Sequence, residues 1–162
     1  MRLVQTLAML GSPILIVIAA SLENARHANP PWKPEQTISE NLSLPPAIDA
    51  ILRRSCFDCH SSETHWPWYS KMAGIGYLVE RDVNGGREAM NFSEWSTGAG
   101  KTSLQGASML LAACEAVRKH RMPNSNYLLL HPNAKLKAAE VDEFCDWAQG
   151  AASELVPVNG KP

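Results

Sequence analysis

The segment that most limits what this chain can fold into is Ser55-Cys56-Phe57-Asp58-Cys59-His60. Ile48, Ile51, Leu52, Ser55, Cys56 and Cys59 recur at steps of three and four, the stride of a helix, which predicts one helix over 46–60. On that helix positions 56, 59 and 60 share a face. Two thiols and an imidazole so placed are the attachment signature of c-type haem. The thiols form thioethers with the two vinyl groups on one porphyrin edge, and His60 is carried under the iron as proximal ligand. A structural zinc site would need a second Cys/His pair at a matching distance. Cys114 and Cys145 stand singly instead. A thioredoxin-like pair would need a βαβ setting, and no clean alternating run is present. The spacing therefore predicts one haem c, covalent through Cys56 and Cys59.

The compartment agrees with that chemistry. After Arg2, residues 3–22 read LVQTLAMLGSPILIVIAASL: a basic start, an uncharged apolar run, then small residues. This is the pattern of a secretory signal, and the run is also long enough to stay as a membrane anchor. Residues 1–24 are read as one or the other, in preference to a buried core helix. Both place the rest in the periplasm, soluble or tethered to the inner membrane, where disulfides form. Residues 25–45, rich in proline and without helical period, read as an extended arm. The haem-binding domain is expected over 46–150 and a flexible tail over 151–162. Further helices are expected near 72–83, at 103–121 (stripe Leu104, Ala107, Leu111, Cys114, widened by Leu110 and Val117; cap Thr102 or Ser103) and at 138–149 (Val141, Phe144, Cys145, Ala148). The fold class is mainly α, a small helical domain with long loops.

A His-ligated iron takes a second axial ligand or keeps a site open. Met122, in RKHRMPNSNY, is the leading candidate. Pro123 cannot continue the preceding helix and pushes Met122 into an extended conformation, so Met122 projects from a sharp exit. Core filling is the ordinary alternative for a methionine. His120 or His131 would give a bis-histidine site. His65 lies too near His60 to reach the opposite face, and Met72, Met90 and Met109 lack the proline.

The ordered blocks NPP (29–31), CFDCHSSETHWPWYS (56–70), DVNGGREAMNFSEW (82–95) and MPNSNYLLLHPNAKL (122–136), with a helix ending in Trp147, resemble the bacterial haem-binding domain family related to cytochrome c. The resemblance implies a cytochrome c-like, single-haem α-helical fold with Met122 as distal ligand, and no defined reaction. The chain departs from the pattern at KMAGIGYLV, where a looser loop is expected. It departs again at Lys137, which stands where a Ser or Thr would cap the last helix, and at the additional Cys114 and Cys145.

Other residues carry alternatives. Trp66, Trp68 and Tyr69 either wall the haem or pack the core. Arg87, in an expected turn after Gly85-Gly86, either pairs with a haem propionate or lies on the surface. Asn91, Ser93 and Trp95 are expected to pin the same loop, and Tyr127 is a further pocket candidate. Cys114 and Cys145 face the interior as a disulfide or as two buried thiols. The cations at 118–121 offset the end of the helix macrodipole or form a docking patch for an acidic redox partner. GAGKTS at 98–103 lacks the first glycine of a phosphate loop, since Trp95 holds that place. Fifteen Lys+Arg against 16 Asp+Glu leave no basic footprint for nucleic acid. The functional expectation is a mono-haem electron carrier without substrate chemistry of its own, serving an unidentified redox partner such as a neighbouring dehydrogenase. The rivals are a haem-based sensor or a peroxidase-like enzyme, each with a displaceable Met122.

Overall fold

Among the residues that the computed structural model describes, 27–72, 74–98 and 100–157, the architecture is seven α-helices joined by short 3₁₀ turns, with no strand. Residues 1–24, and with them the expected signal or anchor, lie outside the described residues. No helix among the described residues is long and apolar enough to cross a membrane.

The helices are α1 (Ile38–Asn41), α2 (Pro46–Ser55), α3 (Phe57–His60), α4 (Ile75–Ala89), α5 (Ser103–Arg118), α6 (Ser125–Leu130) and α7 (Ala138–Leu155). Pro46 opens α2, where its missing N–H costs nothing. The expected single helix over 46–60 is split at Cys56, whose backbone (φ −128°, ψ −37°) leaves the helical region. The chain turns there and re-enters a helical turn closed by the His60 N–H on the Cys56 carbonyl, at 2.9 Å.

The core sits between α2, α5 and α7. Helices α5 and α7 pack along each other, and α2 packs on α7. Cys114 and Cys145 join α5 to α7 as a disulfide with Cα atoms 5.0 Å apart, which resolves the two alternatives open in the sequence. Thr102 caps α5 by accepting from the Gln105 N–H. The buried stripe of α5 is Ala107, Leu110, Cys114 and Val117, while Leu104 and Leu111 face outward. The expected face therefore holds at Ala107, Leu110, Cys114 and Val117 and fails at Leu104 and Leu111, because the disulfide partner fixes which face meets α7. At the start of α7 the Glu140 carboxylate accepts from the Lys137 N–H at 2.8 Å and also pairs with Arg54 of α2 at 2.9 Å. The reciprocal half of a capping box is not made, since a lysine side chain has no acceptor.

Three boundaries differ from expectation. The arm is folded against the domain: Ile38 is buried, Gln36 accepts from the Ser96 N–H, and Ser43 accepts from the Trp147 indole. The last helix runs past 150 to Leu155 and buries Ala151 and Ala152, so the tail does not begin at 151. Helix α4 runs through Gly85-Gly86, which are not a turn. The GAGKTS segment has a packing reason instead of a phosphate: a Cβ on Gly100 would collide with the Trp95 indole, which is fully buried there.

Candidate functional site

Helix α3 is held in place by the loop that follows it. Ser61 donates to the Phe57 carbonyl (2.8 Å), and the Ser62 N–H donates to Ser93 Oγ (3.0 Å). Asn91 accepts from the Ser93 N–H and donates to Ser62, so residues 91–93 hold the loop after α3 and not the turn at Gly85-Gly86 that was expected. Trp95 lies beneath them in the core. Arg87 donates to the Ser61 carbonyl (2.8 Å), Thr64 Oγ1 (2.8 Å) and Asn29 Oδ1 (3.0 Å). Its guanidinium is thus occupied in joining α4, the loop and the arm, not in waiting for a propionate.

Helix α4 crosses α3 at Gly86. Any Cβ there would run into the Cys59 carbonyl, so the close approach requires glycine. The two helices and α6 enclose a cavity of about 540 Å³, within the range of sites that bind cofactors. Its wall includes Cys56, Cys59, His60, Met122, Asn124 and Tyr127. Ile75, Leu78, Val79 and Val83 of α4 line it at helical spacing, so the wall is largely apolar.

The electrostatics suit neutral donors. Burial pushes the Cys56 thiol up to about 12 and Cys59 to about 11, with the neighbouring Cys59 and Asp58 adding to the respective shifts. Both are free thiols. Burial also lowers His60, against the opposing effect of its backbone hydrogen bonds. His60 Nδ1 lies 3.1 Å from the Met90 carbonyl. A carbonyl only accepts, so Nδ1 carries the proton and Nε2 keeps its lone pair. Tyr127 is raised by burial and by donating its hydroxyl to Asp58 Oδ2 at 2.7 Å.

Of the residues singled out from the sequence, Cys56, Cys59, His60, Tyr69, Met122 and Tyr127 border this cavity. Trp66, Trp68 and Arg87 do not. Trp66 packs on His27 and under Arg87, with its indole N–H on Asn29, and Trp68 is 76% exposed. Neither His120 nor His131 is on the wall: His131 stacks on Tyr127 and shares a 2.7 Å hydrogen bond with Tyr69. Of the cations at 118–121, Lys119 and Arg121 both lie beside Glu115. Asp58, the Met90 carbonyl and the α4 face were missed. The stride Ile75, Val79, Val83 and Gly86 was the available signal for the last.

A family model described as a haem-binding domain matches residues 14–150. The chain belongs to this haem-binding domain family. Neither the curated proteins nor the solved structures compared with it give a match.

The residues fit a haem. Among the described residues, no cluster of three or more His, Cys, Asp or Glu side chains could hold a metal ion unaided. A single neutral imidazole and a thioether, by contrast, are a donor pair for an iron whose other ligands come from a porphyrin. The apolar α4 face would lie against the macrocycle. The buried Ser55 hydroxyl, on the same wall, has no hydrogen-bond partner among the described residues.

Proposed function

We propose that this chain is a mono-haem c-type cytochrome domain, with haem covalent through Cys56 and Cys59 and ligated by His60 and Met122, carrying electrons outside the inner membrane. One observation supports it most: two free thiols, an imidazole with its Nε2 lone pair available, and the Met122 thioether border a single apolar-walled cavity. Haem supplies one-electron redox chemistry when bound. The chain's own residues do the rest. Burial keeps His60 a neutral nitrogen donor. The Met122 thioether would offer the iron a soft donor, and a Met/His pair would raise the reduction potential. The apolar α4 face would limit water around the group, and the two thiols would retain it covalently. The leader at 1–24 supports a periplasmic position, tethered or free, and the reading implies a redox partner protein.

The test is a pyridine haemochrome and visible spectrum of the full chain made with a competent haem-attachment system. We expect a haem with both vinyl groups saturated. Absence of covalent haem would overturn the reading. Loss of the near-infrared iron–sulfur band in Met122→Ala checks the distal ligand.

A second reading has one observation in its favour. Met122 is 43% exposed and sits on a loop, so an added ligand has a route to the iron. A sensor or peroxidase-like protein would use that route. Rapid carbon monoxide binding to the reduced protein would favour it over the electron carrier.

A further inference from the structure

We propose that Asp58 and Tyr127 form a latch that positions Met122, tying the loop that bears it to the thiol-bearing segment and thereby setting how firmly the distal position is held. The latch rests on the Met122 ligation proposed above and gives that ligation its structural support.

Upstream, the Met122 N–H and that of Arg121 share the Ala116 carbonyl at the end of α5, at 3.3 and 2.9 Å, and the Arg121 guanidinium lies 3.9 Å from Glu115. Downstream, Asn124 caps α6 by accepting from the Asn126 N–H. Helix α6 buries none of its residues fully, with Tyr127 and Leu128 half-buried and Leu129 and Leu130 exposed, so packing alone holds it weakly. What ties it to α3 is the Tyr127 hydroxyl on Asp58 Oδ2, at 2.7 Å. Asp58 sits between the two thiols in sequence, and its Oδ1 accepts from the His65 N–H at 3.0 Å, which fixes the carboxylate. His131 braces the Tyr127 ring, stacked at 4.1 Å and 8°, and is itself bonded to Tyr69 at 2.7 Å. Two tyrosines on the cavity wall thus close three segments around it. A charge-assisted hydrogen bond across such a span is stronger than a neutral one, and a lone thioether is a donor that added ligands can displace.

The experiment titrates imidazole against the oxidised, haem-loaded full chain, reading imidazole binding in every variant by the shift of the Soret band, and displacement of methionine by the near-infrared band wherever Met122 is present. Met122→Ala raises the apparent imidazole affinity by removing the competitor. Tyr127→Phe keeps the ring and its stacking but loses the hydroxyl, and is expected to raise the affinity about tenfold. Asp58→Ala does the same, and the double variant does no more than either. Asp58→Asn keeps an oxygen acceptor without the charge and falls between. In the Met122→Ala background Tyr127→Phe adds nothing, because the latch acts through Met122. Trp147→Phe, which loosens the fold at the Ser43 carbonyl far from the latch, leaves the affinity unchanged.

The latch is overturned if Tyr127→Phe leaves imidazole affinity unchanged where Met122→Ala has raised it. It is equally overturned if the Tyr127→Phe effect persists in full without Met122, or if Trp147→Phe matches it. Should Met122→Ala itself change nothing, the ligation has failed and the latch with it.

Discussion

Helices α5 and α7 and helix α4 solve the same problem in different ways. On α7, Phe144, Cys145, Ala148, Ala151 and Ala152 are buried against α5, and a disulfide joins the pair. Across 15 residues α4 buries only Gly76 and Val83, while Ile75 and Leu78 are 40% and 47% exposed beside the cavity. The first pair satisfies its apolar surface with the chain's own side chains. The second presents its apolar surface to a cavity bordered by thiols and an imidazole. The difference teaches that the chain encodes one core by itself and shares the other with the haem its family binds.

The largest effect should come from removing that shared partner. Cys56→Ser with Cys59→Ser is expected to abolish haem that survives denaturation, as seen by haem staining after gel electrophoresis. The open side should then lose protection while the bundle keeps it, since a ligand stabilises only what it contacts in the folded state. Amide exchange would show α4 exchanging fast and the centres of α5 and α7 still slow. Equal loss in both regions would break the comparison.

Next in size is a pair of truncations, one in each region. Phe144 is 4% exposed, and Phe144→Ala should cost about 4 kcal/mol with or without haem, through the cavity it leaves. Leu78→Ala should cost less than about 1 kcal/mol in the haem-free protein, as a half-exposed position does. With haem held it should cost about 2 kcal/mol, because the side chain is then fully covered. Urea unfolding of all four proteins measures the contrast.

Gly86→Ala probes the seam where α4 crosses α3. A methyl group there meets the Cys59 carbonyl, a backbone atom that cannot rotate away. The helices must separate, at about 1–3 kcal/mol, and His60 should shift relative to the Met90 carbonyl. Gly85→Ala has open space and serves as control, with an unchanged visible spectrum and equal or greater stability.

That seam also marks where the sequence stopped being legible. Glycine is unfavourable inside a helix, so the pair at 85–86 reads locally as a turn. The reason for Gly86 lies in a second helix whose position no local pattern carries. Arg87 was misread for a related cause. A guanidinium beside the motif fits a propionate by chemistry, but the loop at 61–64 and Asn29 of the arm claim it first. The arm itself looked extended because its prolines exclude long helices. Ile38 shows that even a four-residue turn can bury a side chain completely. What could be read were features with short-range causes, the spacing of Cys56, Cys59 and His60 and the capping of α5 at Thr102, whereas α5, expected to reach 121, ends at Arg118, before the positive φ of His120. The pairing of Cys114 with Cys145 depended on the register of α5 against α7, which neither stripe contains.

The smallest effect is pH dependence, and it should fall on the open side alone. Burial holds His60 below its ordinary value of 6.5 in the folded chain. As pH falls, the unfolded chain therefore takes the proton first, near 6.5, and the folded chain only at lower pH. The stability that neutral His60 contributes is complete above the unfolded value and is lost as pH falls from there towards the folded one. In the haem-free Cys56→Ser/Cys59→Ser protein, α4 amides should exchange faster on acidification below that point than amides of α5 and α7 do. His60→Gln should remove the differential, because glutamine does not titrate. If His60 ligates the iron as proposed, its Nε2 lone pair would be engaged when haem is held, and the same acidification should leave α4 protected to a lower pH. A differential that survived in His60→Gln would assign the sensitivity to another group and detach it from the ligand-bearing side.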